Sequence, residues 1–318
     1  MSRYDIVCIG MAILDSIIKG FDPEPVSATG YRAESGTLNV GGDAVNEAIA
    51  SAKLGMKTAI LCSLGNDPAG NIIADELERN GVDTGLIIRS DENPTPITTI
   101  FVREDGNRRS ITNSAHRYNF HPERYSEAFS DARAVIMGSL FRAPFNDPDV
   151  IRSVVSAASE NGALVFADTK LPNFRRLSLA DISDSLASVD FITPNEDEGR
   201  FYTGRDDPEE MAEEFLRAGA RNVIIKLGAR GCYFRNSDLT IRTPAFDISA
   251  VDATGAGDNF IAGFASEILR GSRAADALDF ACACGAICST TVGAGTALKS
   301  REQVMRQMAE IDKRSAIR

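Results

Sequence analysis

The residues most able to do chemistry stand late in the chain, in the run Val251-Asp-Ala-Thr-Gly-Ala-Gly-Asp-Asn-Phe-Ile-Ala-Gly263. Small residues lead directly into an apolar pattern of helical period. Glycines let backbone N–H groups converge, and the N-terminus of the following helix attracts anions. The run therefore describes a cradle for a phosphate or an oxyanion, but close packing of a helix on a strand explains it equally well. It contains neither the Walker P-loop nor the dinucleotide fingerprint.

Asp258, inside this run, favours the phosphate interpretation. A carboxylate beside converging N–H groups would repel a bound phosphate unless it had a task, and it could accept the proton of an attacking hydroxyl. We expect its pKa to be low in that location. A weak base suits phosphoryl transfer, because the transition state is loose and depends mainly on positioning.

A second motif, Asn39-Val-Gly-Gly-Asp-Ala-Val-Asn46, leads into a helix. Its paired glycines allow close approach of the backbone to a ligand, and Asp43 and Asn46 offer hydrogen-bonding groups for hydroxyls. The alternative is a tight turn with Asp43 as the helix N-cap.

A third motif, Thr193-Pro-Asn-Glu-Asp-Glu198, follows an apolar run of strand length. Its carboxylates either complement a helix dipole or organise hydrated magnesium near ATP phosphates. Alone, this motif is a weak indication of function.

Apolar runs of strand length alternate with helical patterns along most of the chain, which predicts an α/β fold whose mostly parallel sheet is covered on both faces. The predicted strands are Ile6–Ile9, Thr58–Cys62, Leu86–Ile88, Ala134–Met137, Leu164–Ala167, Phe191–Thr193 and Val223–Lys226. The predicted helices are Ala44–Leu54, Asn71–Asn80, Val150–Glu160, Pro208–Ala218, Ala256–Arg270 and Ala274–Thr291.

Two stretches, about 12–40 and 94–114, interrupt this alternation with strands that have no helix between them. In the second, Ile97–Val102 and Arg108–Ile111 flank a polar turn at Glu104–Asn107, which predicts a hairpin. The two stretches could form a small sheet that serves as a lid over the edge of the main sheet, or they could only decorate that edge. We treat residues 1–318 as a single domain.

Composition excludes several classes of protein. The chain has 318 residues and a formal net charge of −11, which argues against a nucleic-acid partner. No apolar run is long enough to span a membrane, and no signal peptide is recognisable, so a cytoplasmic location is expected. Three of the six cysteines, Cys282, Cys284 and Cys288, lie close together. A zinc site there is conceivable, but free thiols are favoured because no C-x-x-C spacing occurs.

The motifs resemble, in order and spacing, the signatures of the ribokinase-like carbohydrate kinases, the PfkB family. The early signature is matched at Gly41, Gly42, Ala44, Asn46, Ala48, Gly55 and Gly65, and the late one at Asp252, Gly255, Ala256, Gly257, Asp258, Ala262 and Gly263. Asn195 and Glu198 fit the family's N-x-x-E motif, and Ile225–Gly231 looks like its nucleotide-side strand and turn. The resemblance covers nearly the whole chain.

The resemblance implies a Rossmann-like three-layer α/β/α domain with a small β-sheet lid, and an ATP-dependent sugar kinase that uses Mg²⁺. Asp258 would be the catalytic base, and the amides of Gly255, Ala256 and Gly257 would form the anion hole. Residues assigned to the sugar are Asp15, Gly41, Gly42, Asp43, Asn46, Arg103 and Arg109. Residues assigned to the nucleotide are Lys170, Asn195, Lys226, Gly228, Gly231, Thr254, Gly257 and Cys288. Glu198 would act on Mg²⁺ through water, and Asp252 and Thr254 would hold a monovalent cation such as K⁺.

Two departures from the family pattern leave alternatives open. Ala253 replaces a residue that is usually Thr, Ser, Pro or Val, which bears on the K⁺ site. Asp168-Thr-Lys170 replaces Asp-Pro-Asn-x-Arg, and Lys170 either reaches a phosphate or only pairs with Asp168. Arg142 and Asn113 are further candidates for the substrate pocket.

Alternative functions and the oligomeric state complete the set of predictions. A fructokinase-like or ribokinase-like activity is favoured, and a 2-keto-3-deoxygluconate kinase or a nucleoside kinase, with Phe101 as a stacking residue, is the alternative. A non-catalytic ligand-binding protein has no need for Asp258, and a nicotinamide-dependent dehydrogenase would need the early glycine fingerprint. Relatives often pair their lids, so a homodimer through the lid is predicted.

Overall fold

The computed structural model describes residues 2–20, 32–103, 107–113, 120–173 and 175–315. Its strands are β1 (Tyr4–Ile9), β2 (Ile13–Lys19), β3 (Ser35–Gly41), β4 (Thr58–Leu61), β5 (Ser63–Gly65), β6 (Ile88–Ser90), β7 (Ile97–Val102), β8 (Arg108–Thr112), β9 (Ala132–Leu140), β10 (Leu164–Thr169), β11 (Phe191–Thr193), β12 (Val223–Lys226), β13 (Cys232–Arg235) and β14 (Thr240–Thr243). Its α-helices are α1 (Asp43–Lys53), α2 (Pro68–Arg79), α3 (Pro148–Glu160), α4 (Ser183–Leu186), α5 (Glu196–Thr203), α6 (Pro208–Arg217), α7 (Ala256–Leu269), α8 (Ala274–Cys288) and α9 (Arg301–Ser315).

The central sheet has eight strands in the order β14-β13-β12-β11-β10-β9-β1-β4. The six strands β4, β1, β9, β10, β11 and β12 are parallel, and β13 and β14 continue the sheet as an antiparallel edge. Successive residues of β1 enter two different cores: Val7 and Ile9 pack with α3 and α6, whereas Ile6 and Cys8 pack with α1, α2, α7 and α8. The prediction of a three-layer α/β/α domain is confirmed.

The small sheet has the order β3-β2-β7-β8, and it is built from the two stretches that interrupt the alternation. Strands β7 and β8 form the predicted hairpin, with Phe101 opposite Arg109. Positions 21–31, 104–106 and 114 of the predicted lid lie outside the described residues. Because side chains alternate between the faces of a strand, this register decides which lid residues can meet a substrate.

One predicted strand of the central sheet was wrong. The run Leu86–Ile88 was expected there, but β6 starts at Ile88 and pairs with β5 in a separate two-stranded sheet. The reason is burial: Ile88 is half-buried and Arg89 is exposed, whereas central parallel strands are buried on both faces. Among the described residues, every helix is too short or too polar to span a bilayer.

Candidate active site

A cavity of about 1230 Å³ lies between the small sheet and the carboxyl ends of the central strands. Ligands of open α/β sheets commonly bind at this edge. Its wall combines residues of all three motifs with residues of the small sheet. They include Asp15, Asn39, Gly41, Gly42, Asp43, Asn46, Arg108, Asp168, Lys170, Asn195, Glu198, Lys226, Gly228, Gly231 and Thr254 to Asp258.

The N-terminus of α7 forms one wall of this cavity. Its N-cap is Gly255, at φ 78°, and a Cβ there would lie 2.3 Å from the Cβ of Ala294. The first N–H groups of a helix have no partner within the helix, although the N–H of Ala256 donates to the carbonyl of Ala253 at 3.2 Å. A Cβ on Gly257 would lie 3.1 Å from Nζ of Lys226, so the glycine leaves space beside the ammonium group. The glycines therefore serve both close packing and an anion-attracting wall.

Asp258 lies in the first turn of α7 and is only 5% exposed. Its Oδ2 accepts a hydrogen bond of 2.7 Å from Nδ2 of Asn46. Burial, followed by the nearby carboxylate of Asp43, raises the pKa of Asp258 to about 7, although Lys170 and Asn46 act in the opposite direction. The expectation of a low pKa was therefore wrong, because desolvation outweighs the hydrogen-bond donors.

Asp43 is held by two partners in the cavity. Its Oδ1 lies 3.2 Å from Nζ of Lys170, and its Oδ2 accepts a hydrogen bond from Oγ of Ser139. The N-cap of α1 is Gly42 rather than Asp43, so the N-cap alternative was wrong and the carboxylate remains in the cavity wall. Ser139 adopts φ 63°, which is uncommon for a non-glycine residue. No sequence motif marks Ser139, and we did not predict its role.

The turn before α1 brings two strands of the small sheet to the same place. Gly42 adopts φ 101°, and a Cβ there would lie 2.3 Å from the carbonyl oxygen of Met11. A Cβ on Gly41 would lie 2.6 Å from Oδ2 of Asp15. Glycine at both positions therefore lets β2 and β3 approach, and it keeps the Asp15 carboxylate at the cavity.

Lys226, at the end of β12, points its ammonium group toward the end of β10. It forms an ion pair with Oδ1 of Asp168, which also accepts a 2.6 Å hydrogen bond from Oγ1 of Thr193. Burial alone would lower the pKa of Lys226, but Asp168 and Glu198 raise it, and the pKa of Lys170 is raised by Asp43 and Asp258 against the same effect of burial. Both lysines therefore stay charged beside the anion-attracting wall, and Lys170 pairs with Asp43 rather than with Asp168.

Asn195 and Glu198 form a capping box at the start of α5. The Asn195 side chain accepts from the N–H of Glu198 at 2.9 Å, and Oε2 of Glu198 accepts from the N–H of Asn195 at 2.9 Å. Oε2 also accepts from Oγ1 of Thr169 at 2.8 Å, which leaves Oε1 without a donor among the described residues. An acceptor-only carboxylate at the cavity fits hydrated Mg²⁺, which prefers oxygen ligands and keeps several waters.

Asp252 has a different environment. Its Oδ1 accepts from the N–H and Oγ1 of Thr254, at 3.0 and 2.7 Å, and its Oδ2 accepts from the N–H of Gly293 at 3.2 Å. The guanidinium group of Arg108 lies 3.7 Å from the same Oδ1. Donors therefore surround this carboxylate, so in this conformation the Asp252 side chain does not fit the predicted K⁺ ligand.

Several predicted residues do not reach the cavity. Arg109 and Phe101 lie on the opposite face of the small sheet from Ile100, Val102 and Arg108, which line the cavity. Four others also lie outside the wall: Arg103, Asn113, Arg142 and Cys288. The side-chain oxygen of Asn113 accepts a hydrogen bond from the N–H of Ile97, and Arg142 donates to the carbonyl of Leu171. The Cys288 thiol lies behind the wall, 3.4 Å from the carbonyl oxygen of Thr254. All six cysteines are buried free thiols.

Glu47 is a second residue near the cavity that no sequence motif marks. It is fully buried on α1, and an oxygen of Glu47 lies within 4.8 Å of oxygens of Asp168 and Asp258. The available signal was a charged residue one helical turn after Asp43, within a stretch of small and apolar residues.

Comparison with known proteins places this site in a family. Residues 4–301 match the model of the pfkB family of carbohydrate kinases. The chain belongs to this family. The kinase is 29% identical over 283 residues to fructokinase-1 of Oryza sativa subsp. japonica, which covers 84% of this chain and 88% of the rice protein. It is 30% identical over 275 residues to 2-dehydro-3-deoxygluconokinase of Bacillus subtilis, which covers 81% of this chain and 83% of that enzyme.

Solved structures support the same fold. The kinase superposes on Arabidopsis thaliana ribokinase, solved in complex with ribose and ATP, with a TM-score of 0.85. The match covers 97% of this chain and 99% of the ribokinase chain at 24% identity. The match to the pfkB family model confirms the family resemblance of the motifs. The superposition shows that the ribokinase-like fold extends over nearly the whole chain.

Proposed function

We propose that this kinase transfers the γ-phosphate of ATP to a hydroxyl group of a sugar, with Asp258 as the general base. The observation that carries the proposal is the position of Asp258: a buried carboxylate, bonded by Asn46, in the first turn of a glycine-initiated helix. A base is most effective when its pKa lies near the working pH, and the pKa of Asp258 is raised to about 7.

The acceptor side of the cavity suits a small polyol. Asp15, Asn39, Asp43 and Asn46 offer carboxylate and amide groups for sugar hydroxyls. On the inner face of the small sheet, Ile13, Ile17, Ile100 and Val102 offer an aliphatic surface for the C–H groups of the ring. We propose that this small sheet acts as a lid that closes over the sugar and excludes water.

The donor side of the cavity suits the phosphates of ATP. Lys170 and Lys226 are cations beside the N-terminus of α7, where the N–H groups of Gly255 and Gly257 would stabilise charge on the transferred phosphoryl group. Glu198 would hold Mg²⁺ through water, and the metal would neutralise charge on the phosphate oxygens. Gly228 and Gly231, with Gly285 and Ser289 of the α8 region, border the space left for the nucleotide.

An acidic sugar is the second candidate for the acceptor. Lys19 and Arg108 lie on the cavity face of the small sheet and would favour a carboxylate or phosphate group on the substrate. One relative is a 2-dehydro-3-deoxygluconokinase, an enzyme for an acidic sugar. A nucleoside acceptor is less well supported, because the aromatic ring of Phe101 is on the other face of the small sheet.

A coupled assay of ADP formation tests the proposal and separates the acceptors. Fructose, ribose, 2-keto-3-deoxygluconate and nucleosides would each be offered with ATP and Mg²⁺. We expect one sugar to give a kcat/KM far above the others, with a phosphorylated product identified by mass spectrometry. Absence of ADP formation with every acceptor, by a protein that binds ATP, would favour a non-catalytic ligand-binding role.

We also propose a homodimer formed through the outer faces of two lids. Leu38 and Ile111 lie in one cross-strand row on that face and are 59% and 70% exposed. A sheet with exposed apolar side chains and open edges is favourably covered by a second copy.

The free thiols are usual for a reducing compartment, and a cytoplasmic location stays a prediction.

A further inference from the structure

Glu47 is buried in an unusual way for a carboxyl group. Its side chain is 0% exposed, and neither Oε1 nor Oε2 has a hydrogen-bond partner among the described residues. Gly138, at the end of β9, leaves the space for it, because a Cβ there would lie 2.9 Å from Oε2. An ionised carboxylate in such a place loses its hydration and gains no donor in return, which is strongly unfavourable.

The neighbouring carboxylates differ from Glu47, because each has at least one donor. Those donors are Ser139 and Lys170 for Asp43, Thr193 and Lys226 for Asp168, Thr169 and the Asn195 N–H for Glu198, and Asn46 for Asp258. Asn46 therefore favours the anion of Asp258, whereas no hydrogen-bond donor among the described residues favours the anion of Glu47, and the ammonium group of Lys170 favours it only through space.

The summed charge of the ionisable groups around Glu47 also disfavours an ionised Glu47. Five carboxyl groups (Asp43, Glu47, Asp168, Glu198 and Asp258) face two ammonium groups (Lys170 and Lys226), so full ionisation would leave three negative charges uncompensated. The titratable groups that face Glu47 are Cys8 on β1, Asp43 on α1 itself, Asp168 and Lys170 at the end of β10, and Asp258 on α7. A proton or a metal ion must reduce the negative charge at this place.

We propose that Glu47 is a neutral carboxylic acid throughout the reaction, and that this positioning residue keeps the centre in the charge state in which Asp258 can act as the base. The inference rests on the proposed function. A proton is favoured over a metal ion at Glu47 because the ammonium group of Lys170 already acts on Asp43, Asp168 and Asp258, the carboxyl groups around Glu47, and it would repel a cation placed among them. Burial, together with Asp258 and Asp168, also raises the pKa of Glu47.

The consequence concerns the base. An ionised Glu47 would add a negative charge beside Asp258 and would raise the pKa of Asp258 further. Asp258 would then keep its proton in the pH range in which the enzyme works. A neutral Glu47 removes that repulsion. Two carboxyl groups that share one site and differ in their donors can thus divide the work, one as a permanent acid and the other as the base.

Infrared spectroscopy tests the charge of Glu47 without any need for activity. Spectra would be recorded on the whole protein at a pH well above 7, where Asp258 is ionised. We expect the carbonyl stretch of a protonated carboxylic acid in the parent protein and in Asp258→Asn, and its loss in Glu47→Gln. The matched control is Glu267→Gln, because Glu267 is also buried but is paired with Arg301, so the band should survive. Absence of the band in the parent protein would overturn the proposal.

The pH profile of kcat/KM supplies the second arm. Glu47→Gln replaces a neutral group by a neutral group, so the midpoint of the profile should stay at the parent value. Glu47→Ala should lower kcat, on the order of 10²-fold if the base is displaced, and glutamine should restore most of it. A midpoint that falls by about one unit or more in Glu47→Gln would mean that the parent residue is ionised.

Calorimetry with Mg²⁺ or Mn²⁺ alone, without nucleotide, covers the metal alternative. Metal binding by the parent protein that is lost in Glu47→Gln would overturn the proposal in favour of a metal site. If no sugar is phosphorylated, the proposed function fails, but the infrared result still decides whether Glu47 carries a proton.

Discussion

The side-chain amide of Asn46 donates a 2.7 Å hydrogen bond to the carboxylate of Asp258, a residue 212 positions later in the chain. The bond joins the first turns of α1 and α7, and it brings the early and late glycine-rich motifs into one site. The groups offered to the sugar and the base offered to its hydroxyl are thereby in direct contact. This contact gives the proposed reaction its geometry.

The first prediction concerns the base itself. Asp258→Asn keeps the size of the side chain but removes its ability to accept a proton, so kcat should fall by about 10²–10⁴-fold. ATP affinity should change little, because the N–H groups of α7 and both lysines remain. Steady-state kinetics and calorimetry with ATP check the two parts. A variant with the turnover of the parent would exclude Asp258 as the base.

The pH dependence of kcat/KM follows from the raised pKa of Asp258. The base works only when ionised, so activity should rise as pH increases through about 7. Asn46→Ala removes a group that lowers this pKa, and the midpoint should move to higher pH. Asn161→Ala, at the exposed end of α3, is the control and should leave the midpoint in place. A lower midpoint in Asn46→Ala would contradict the assignment.

The same pKa shift predicts a cost in stability. The folded protein holds the Asp258 proton up to about pH 7, whereas the unfolded chain releases it near its ordinary pKa of 3.8, so stability should fall as pH rises through this window. Asp258→Asn removes the ionisation of this buried carboxyl group. The free energy of unfolding above pH 7 should therefore increase, by up to about 4 kcal/mol. Urea unfolding of both proteins at pH 5 and pH 8 measures the difference. An equal difference at the two pH values would contradict the prediction.

The sequence predicted the parts of the site that depend on local pattern. The glycines at 42 and 255, Asp258 and the Asn195–Glu198 pair could be placed, because each belongs to a short motif at the start of a helix. The layered fold could be predicted for a similar reason, since buried parallel strands and amphipathic helices have distinct apolar patterns.

What the sequence did not predict depends on distant neighbours or on register. The pKa of Asp258 is set by burial and by Asp43 and Lys170, which meet it only in the fold. Arg109 rather than Arg108 was predicted to contact the sugar, because the face on which a side chain lies depends on the register of the strand. A shift of one residue exchanges the two faces. Glu47 belongs to no motif, and its importance appears only when its partners are counted in space.

The next prediction concerns Lys170, whose ammonium group compensates Asp43 and Asp258. Lys170→Ala should raise the KM for ATP or lower kcat, and it should move the pH midpoint upward, because Lys170 lowers the pKa of Asp258. The exposed Lys57, whose side chain lies outside the cavity wall, provides the control variant Lys57→Ala. Unchanged kinetic constants and an unchanged midpoint in Lys170→Ala would remove this lysine from the proposed site.

The lid dimer is tested at Leu38 and Ile111. Replacing both by Asp places charges in the middle of the proposed interface, where they would be buried without partners. Light scattering should give a dimer mass for the parent protein and a monomer mass for the variant. Ile72→Asp, an exposed residue on α2, is the control and should leave the dimer intact. A monomer mass for the parent protein would exclude the dimer at that concentration.

The last prediction uses the two neighbouring arginines of β8. Nη1 of Arg108 lies 3.4 Å from Oγ1 of Thr254, so this residue links the lid to the loop before α7, whereas Arg109 lies on the outer face. Arg108→Ala should raise the KM for the sugar about 2–5-fold if the exposed link only favours closure, because such contacts contribute about 1 kcal/mol or less. A rise of about tenfold or more in the KM for the sugar would indicate that Arg108 binds an anionic group of the acceptor, since charge-assisted hydrogen bonds are stronger. Arg109→Ala removes the same charge from the same strand but from the other face. Its KM should match that of the parent protein, and equal effects of the two substitutions would mean that the register of β8 does not control access to the substrate.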